Sequence, residues 1–75
     1  METNLQNTKR QAAHYSHYYA KAAWIYQYGA DCFGFRFGPL DKNEAGVFVG
    51  CCLGADEITE QQAVAFNSRT MSCLA

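Results

Sequence analysis

The chain lacks the features that usually announce a chemistry. It has no CxxC pair and no Walker or Rossmann glycine spacing. No run approaches the roughly 18 apolar residues that a membrane span requires. Proline occurs once, at Pro39, and charged residues make up only 17%. Each scarcity excludes something. The formal net charge of −1 argues against a general nucleic-acid binder, whose domain is strongly basic. The opening METNLQNTKRQ is too polar for a secretory signal. The expected location is therefore the cytoplasm, the host cell's if the chain is phage-encoded, with reduced thiols.

With 75 residues the chain has room for one domain, spanning 1–75, that buries about 60% of the surface its unfolded form exposes. Apolar residues reach 49%, so the composition is globular. Charge is unevenly spread: residues 1–30 carry Lys9, Arg10 and Lys21 against Glu2, and the remainder holds six acids against three bases.

What the chain does have in excess is concentrated. The stretch HYSHYYAKAAWIYQY, His14 to Tyr28, holds all five tyrosines, the sole tryptophan and both histidines. No Gly or Pro interrupts Gln11 to Tyr28, alanine is frequent, and Gly29 suits a left-handed helix stop. Thr3-x-x-Gln6 and Thr8-x-x-Gln11 both fit a capping box, so a helix is expected over about 8–28. In CFGFRF the phenylalanines at 33, 35 and 37 alternate, which predicts a strand over about 32–37; VFVGCCL predicts another over about 47–53. We expect the two to pair as a hairpin around GPLDKNEAG, with Phe37 opposite Val47, Phe35 opposite Val49 and Phe33 opposite Cys51. That register also sets Cys32 beside Cys52, and Gly34 beside Gly50 as a shallow trough; a slip of one residue is the alternative. Asp56 or Thr59 can cap a second helix over about 59–73, Thr59-x-x-Gln62 as a capping box, with Ala63, Phe66, Thr70 and Leu74 at helical spacing. The fold class expected is α+β: a long N-terminal helix, an antiparallel hairpin and a C-terminal helix.

On a helical wheel Ala12, Tyr15, Tyr19, Ala22 and Tyr26 form the core-facing stripe. The opposite face carries Arg10, His17, Lys21, Trp24 and Tyr28, with His14 at its border. Trp, Tyr and Arg are the residue types over-represented at binding hot spots, so this strip is the expected partner-binding surface; the alternative is that the helix is sandwiched, or that Trp24 folds back over the hairpin. The acidic start of the second helix, Asp56, Glu57 and Glu60, is the second candidate surface, although acids there also complement the helix dipole.

Other chemistries fit less well. Structural zinc sites show closely spaced ligand pairs, whereas Cys51 and Cys52 point to opposite sides of a strand, and His14 and His17 diverge around a helix. Cys52 with a histidine lacks any sequence link to an orienting group. No metal, cofactor or catalytic residue is expected, and the chain is read as no enzyme. Short, motif-free chains of this architecture are common among phage and mobile-element accessory proteins, including stoichiometric inhibitors of bacterial defence complexes such as anti-CRISPR proteins. That likeness is one of size and architecture. The expected function is a small protein-binding module of that inhibitory kind, whose partner is a larger protein or complex. The alternative is a small nucleic-acid-associated regulator using the basic and aromatic helix face. Because so small a core supplies only about 3–5 kcal/mol, a homodimer is also expected.

Overall fold

The computed structural model describes residues 3–41 and 43–74, the side chains of 70–74 apart. Residue 42 of the expected hairpin loop and the side chains of Thr70 and Leu74 in the second helix thus lie outside what is described. The elements run α1 (Asn4–Tyr19), β1 (Ala23–Gln27), β2 (Phe33–Arg36), β3 (Val47–Leu53), β4 (Asp56–Ile58) and α2 (Glu60–Leu74). The strands form one antiparallel sheet in the order β2-β1-β3-β4. The fold is α+β and a single domain, as the sequence led us to expect.

The long helix is the main correction. It starts at the earlier of the two capping boxes, where the Thr3 and Gln6 side chains each bond the other's backbone N–H. It stops at Tyr19, and residues 23–27 of the expected helix are strand. The stop is not a glycine. Ala20 takes the left-handed conformation at φ 55°, and Gly29 lies instead in the turn between β1 and β2. Placing a non-glycine residue there costs about 1–2 kcal/mol. Burying Trp24, Ile25 and Tyr26 in the sheet is worth about 1.5–3 kcal/mol each, so burial wins. All three are at most 5% exposed.

The helices cover opposite faces of the sheet, which explains that burial. Ala23, Ile25 and Cys52 cluster with Ala12 and Leu5 of α1. Ala22, Trp24, Tyr26 and Cys51 cluster with Ala63 and Phe66 of α2. A strand covered on both sides reads as an unbroken apolar run rather than an alternation. AAWIY is such a run, and nothing in it distinguishes strand from buried helix.

Both other expected strands exist, but they are not neighbours, because β1 lies between them. Phe35 opposes Ile25 and Gly34 opposes Tyr26, while Gly50 opposes Ile25 from the other side. The expected Phe–Val pairs, the Cys32–Cys52 pair and the glycine trough therefore do not form. The phenylalanine alternation still does its work, because Phe35 and Phe37 pack on the α1 side. Between β1 and β3 the register shifts after Ile25, leaving Val49 as the extra residue of a bulge. The short β4, absent from the expectation, precedes the helix that Thr59 and Gln62 cap as expected.

Two polar side chains tie the layers together. The Ser16 hydroxyl, fully buried, donates to the Lys21 carbonyl at 2.5 Å and accepts from the Gly54 N–H at 2.8 Å. Asn67 of α2 accepts from the Ala22 N–H at 2.8 Å and donates to the carbonyls of Ala22 and Phe37. One clamp fixes the end of α1 to the β3–β4 turn. The other pins α2 to the start of β1.

Candidate protein-binding surface

The underside of α1 is small: Thr8, Ala12 and Ser16, one residue per turn, are its buried positions. Its outer side presents two rows at i, i+4 spacing, Gln11–Tyr15–Tyr19 and Arg10–His14–Tyr18. Because the underside is narrow, the helix sits low and the Tyr15 and Tyr19 rings reach over its flank onto β2. Tyr15 stacks on Phe35 with centroids 5.7 Å apart, and Tyr19 meets Phe37 edge-on at 5.5 Å. Tyr15 also stacks with Tyr19 at 6.3 Å, and Tyr18 stands edge-on to Tyr19 at 4.9 Å. His14 completes the series against Tyr15 at 5.1 Å. These rings remain open to solvent: Tyr15 is 42%, Tyr19 53% and Tyr18 72% exposed. The result is a continuous aromatic belt running from the outer face of α1 to the edge strand β2.

The expected strip is dispersed by the same correction that shortens the helix. Arg10 and His17 lie exposed on α1, and Arg10 donates to Asn7 Oδ1. Lys21 is half-buried in the connection to β1. Trp24 is core, at 1% exposure, and its indole N–H donates to Glu60 Oε2 at 3.1 Å. Tyr28, past the end of β1, lays its ring over Gly34 and Gly46, where an added Cβ would come within 3.1 Å of the ring. No single face holds the five residues. The expected core stripe changes too, since Tyr15 and Tyr19 are largely open while Ala22 and Tyr26 are buried toward α2.

The acidic candidates divide across the sheet. Glu57 forms an ion pair with Lys9 of α1 at 3.6 Å, whereas Glu60 serves Trp24 on the α2 side. Asp56 stands exposed at the start of β4. Glu60 thus has a structural duty as the acceptor of a buried donor.

Cys51 and Cys52 sit where the thiolate is disfavoured. Cys32, Cys51 and Cys52 are free thiols, and the latter two point to opposite faces of β3, as the strand reading requires. Burial, with Glu60 and Cys52 nearby, pushes the Cys51 thiol up to about 11. Burial and then Glu57 raise Cys52. Both therefore stay protonated near neutral pH, the form that is a poor nucleophile and a poor metal ligand. Among the described residues no group of three or more His, Cys, Asp or Glu side chains could hold a metal ion. A cleft of about 400 Å³ between α1 and the β3–β4 hairpin is floored by Ile25, Val49 and Ile58, with Lys9 and Glu57 beside it. Among the described residues no helix is long and apolar enough to cross a membrane.

Sequence reasoning missed the belt as a surface because it assigned Tyr15 and Tyr19 to the core. The signal was present in the spacing of Ala12 and Ser16 with Thr8, which marks a narrower buried stripe than one including the tyrosines. No protein-family model, curated protein or solved structure matches the chain.

Proposed function

We propose that the protein is a small non-enzymatic binding module that acts by occupying the surface of a larger protein or complex. A stoichiometric inhibitor, the anti-CRISPR kind included, acts in this way. The observation that carries the reading is the aromatic belt. Tyrosine supplies large, rigid contact area with a polar tip and little conformational entropy to lose. Exposed apolar surface gathered in one place marks an interaction site more often than scattered residues do. Arg10, His14 and His17 border the belt with hydrogen-bond donors, and Arg10 adds a positive charge, so the fitting partner is an apolar patch rimmed with acids.

Tyr18 is the discriminating residue, because it is the most exposed ring of the belt and packs only against its neighbour Tyr19 among the aromatic contacts. Tyr18→Ala is expected to leave the melting temperature nearly unchanged and to weaken capture of the partner at least tenfold. Val64→Ala, on exposed α2, is expected to change neither. Partner retention that is indifferent to Tyr18→Ala and to Tyr19→Ala would refute the assignment. A nucleic-acid partner would instead show a steep loss of affinity with added salt, from counterion release at the phosphates.

A further inference from the structure

The two edges of the sheet differ. The β4 edge spans only Asp56–Ile58 and carries two acids, devices that blunt an edge against pairing. The β2 edge, Phe33–Arg36, contains neither proline nor lysine, and among the described residues it pairs with β1 alone. Its outward backbone groups can be identified. The Tyr28 N–H donates to the Cys32 carbonyl at 2.7 Å, which makes 28 and 32 a hydrogen-bonded pair. Such pairs alternate along an antiparallel ladder, so Gly34 opposite Tyr26 and Arg36 opposite Trp24 also turn their N–H and C=O groups toward β1. The backbone groups of Phe33 and Phe35 are left facing the open edge.

We propose that β2 pairs antiparallel with β2 of a second copy of this chain, across a two-fold axis at Phe35. The parity fits. Phe35 and the partner's Phe35 exchange both backbone bonds, and the Phe37 N–H on either side reaches the Phe33 carbonyl of the other copy. The Phe37 carbonyl is already held by Asn67, which leaves its N–H as the group to be satisfied. Side chains agree as well. Phenylalanines at 33, 35 and 37 from both copies share one face, so the two aromatic belts join side by side. On the other face Arg36, whose guanidinium also donates to Glu44 Oε2 at 2.8 Å, comes opposite the partner's Gly34, beside which the Tyr28 ring lies. A guanidinium against an aromatic face is a favourable contact. Closed two-fold dimers are the commonest protein assemblies. The inference does not depend on the proposed function, because it concerns the purified chain alone.

The test combines mass with amide exchange. Sedimentation of the pure protein from low micromolar to millimolar concentration is expected to show a monomer converting to a dimer. Over the same range the Phe35 and Phe37 amides, the donors of the proposed seam, are expected to gain at least tenfold protection. Phe35→Pro removes the donor at the two-fold axis, and Phe33→Lys sets a charge at the seam. Each is expected to weaken dimerisation at least tenfold. A monomer mass throughout overturns the proposal. So does a dimer in which the Phe35 amide stays as fast as in the monomer, since that assembly uses another surface. The exchange readout on the unaltered chain decides the matter even if both variants fold poorly.

Discussion

Replacing Ser16 by alanine removes a single oxygen, and two rules of thumb disagree about the sign. Serine is a poorer helix former than alanine by about 0.5 kcal/mol, so on propensity alone Ser16→Ala stabilises α1. The structure says otherwise. The Ser16 hydroxyl is fully buried and serves the Lys21 carbonyl at 2.5 Å and the Gly54 N–H at 2.8 Å. Alanine leaves both groups without this partner, at about 1–3 kcal/mol each when water cannot replace it. Lys21 and Gly54 are half-buried, so the lower part of that range applies to each. The net expectation is a loss of about 2–3 kcal/mol. For a domain of this size the urea dependence is near 1 kcal/mol per molar, which moves the unfolding midpoint by about 2–3 M. The assay is equilibrium unfolding in urea followed by the emission of Trp24, the sole tryptophan and one that is buried in the native state. Gln11→Ala, on the exposed side of the same helix, gains propensity without losing a clamp and should be neutral or slightly stabilising. A Ser16→Ala protein as stable as wild type, or more so, would refute the clamp and leave propensity as the governing term.

Trp24→Ala should destabilise by about 3–5 kcal/mol, as a large-to-small change in the core does, visible as a collapse of thermal stability by circular dichroism; a wild-type melt would return Trp24 to the surface. Asn67→Asp keeps the acceptor for the Ala22 N–H but points a carboxylate at the carbonyls of Ala22 and Phe37. It should cost about 2 kcal/mol or more at pH 7 and recover toward pH 3 as protonation restores a donor, measured by urea unfolding at the two pH values. The Cys51 thiol is raised in the folded state from an ordinary value of 9.0 to about 11, so its contribution is complete below pH 9 and is lost as pH rises toward 11. The slope is up to about 1.4 kcal/mol per pH unit. Cys51→Ala should flatten this part of the stability profile, and an unchanged slope would count against the assignment.

The parts of the fold that could be read from the sequence were those with a single environment. Thr59 and Gln62 form a cap wherever α2 packs, and the alternating phenylalanines need only one buried face. The strand of residues 23–27 was illegible because two helices bury it from both sides, which erases the period of two. Its first neighbours in sequence also favour helix, and the residue that ends α1 is an alanine held left-handed. The hairpin misassignment followed directly: once β1 is absent, β2 and β3 become the only strands available to pair. The site suffered from the same error. Extending the helix through Tyr28 rotated Trp24 onto an imagined outer face and drew Tyr15 and Tyr19 into an imagined core, whereas Arg10 and His17, within the true helix, were placed on its exposed side.

The small underside of α1 has a consequence for motion. With Thr8, Ala12 and Ser16 as its buried positions, the helix docks through Leu5, the rings at its flank and the Ser16 hydroxyl, with the Lys9–Glu57 ion pair and the Asn4 amide on the Asp31 carbonyl as exposed contacts. Elements held by few buried contacts open at a lower free energy than the global transition, in units that detach whole. Undocking α1 would take the belt apart, because one row of rings belongs to the helix and the other to β2. The assembled belt and the docked helix are therefore a single state, and whatever binds across both must stabilise the docking by its own binding free energy. Affinity and helix protection should rise together.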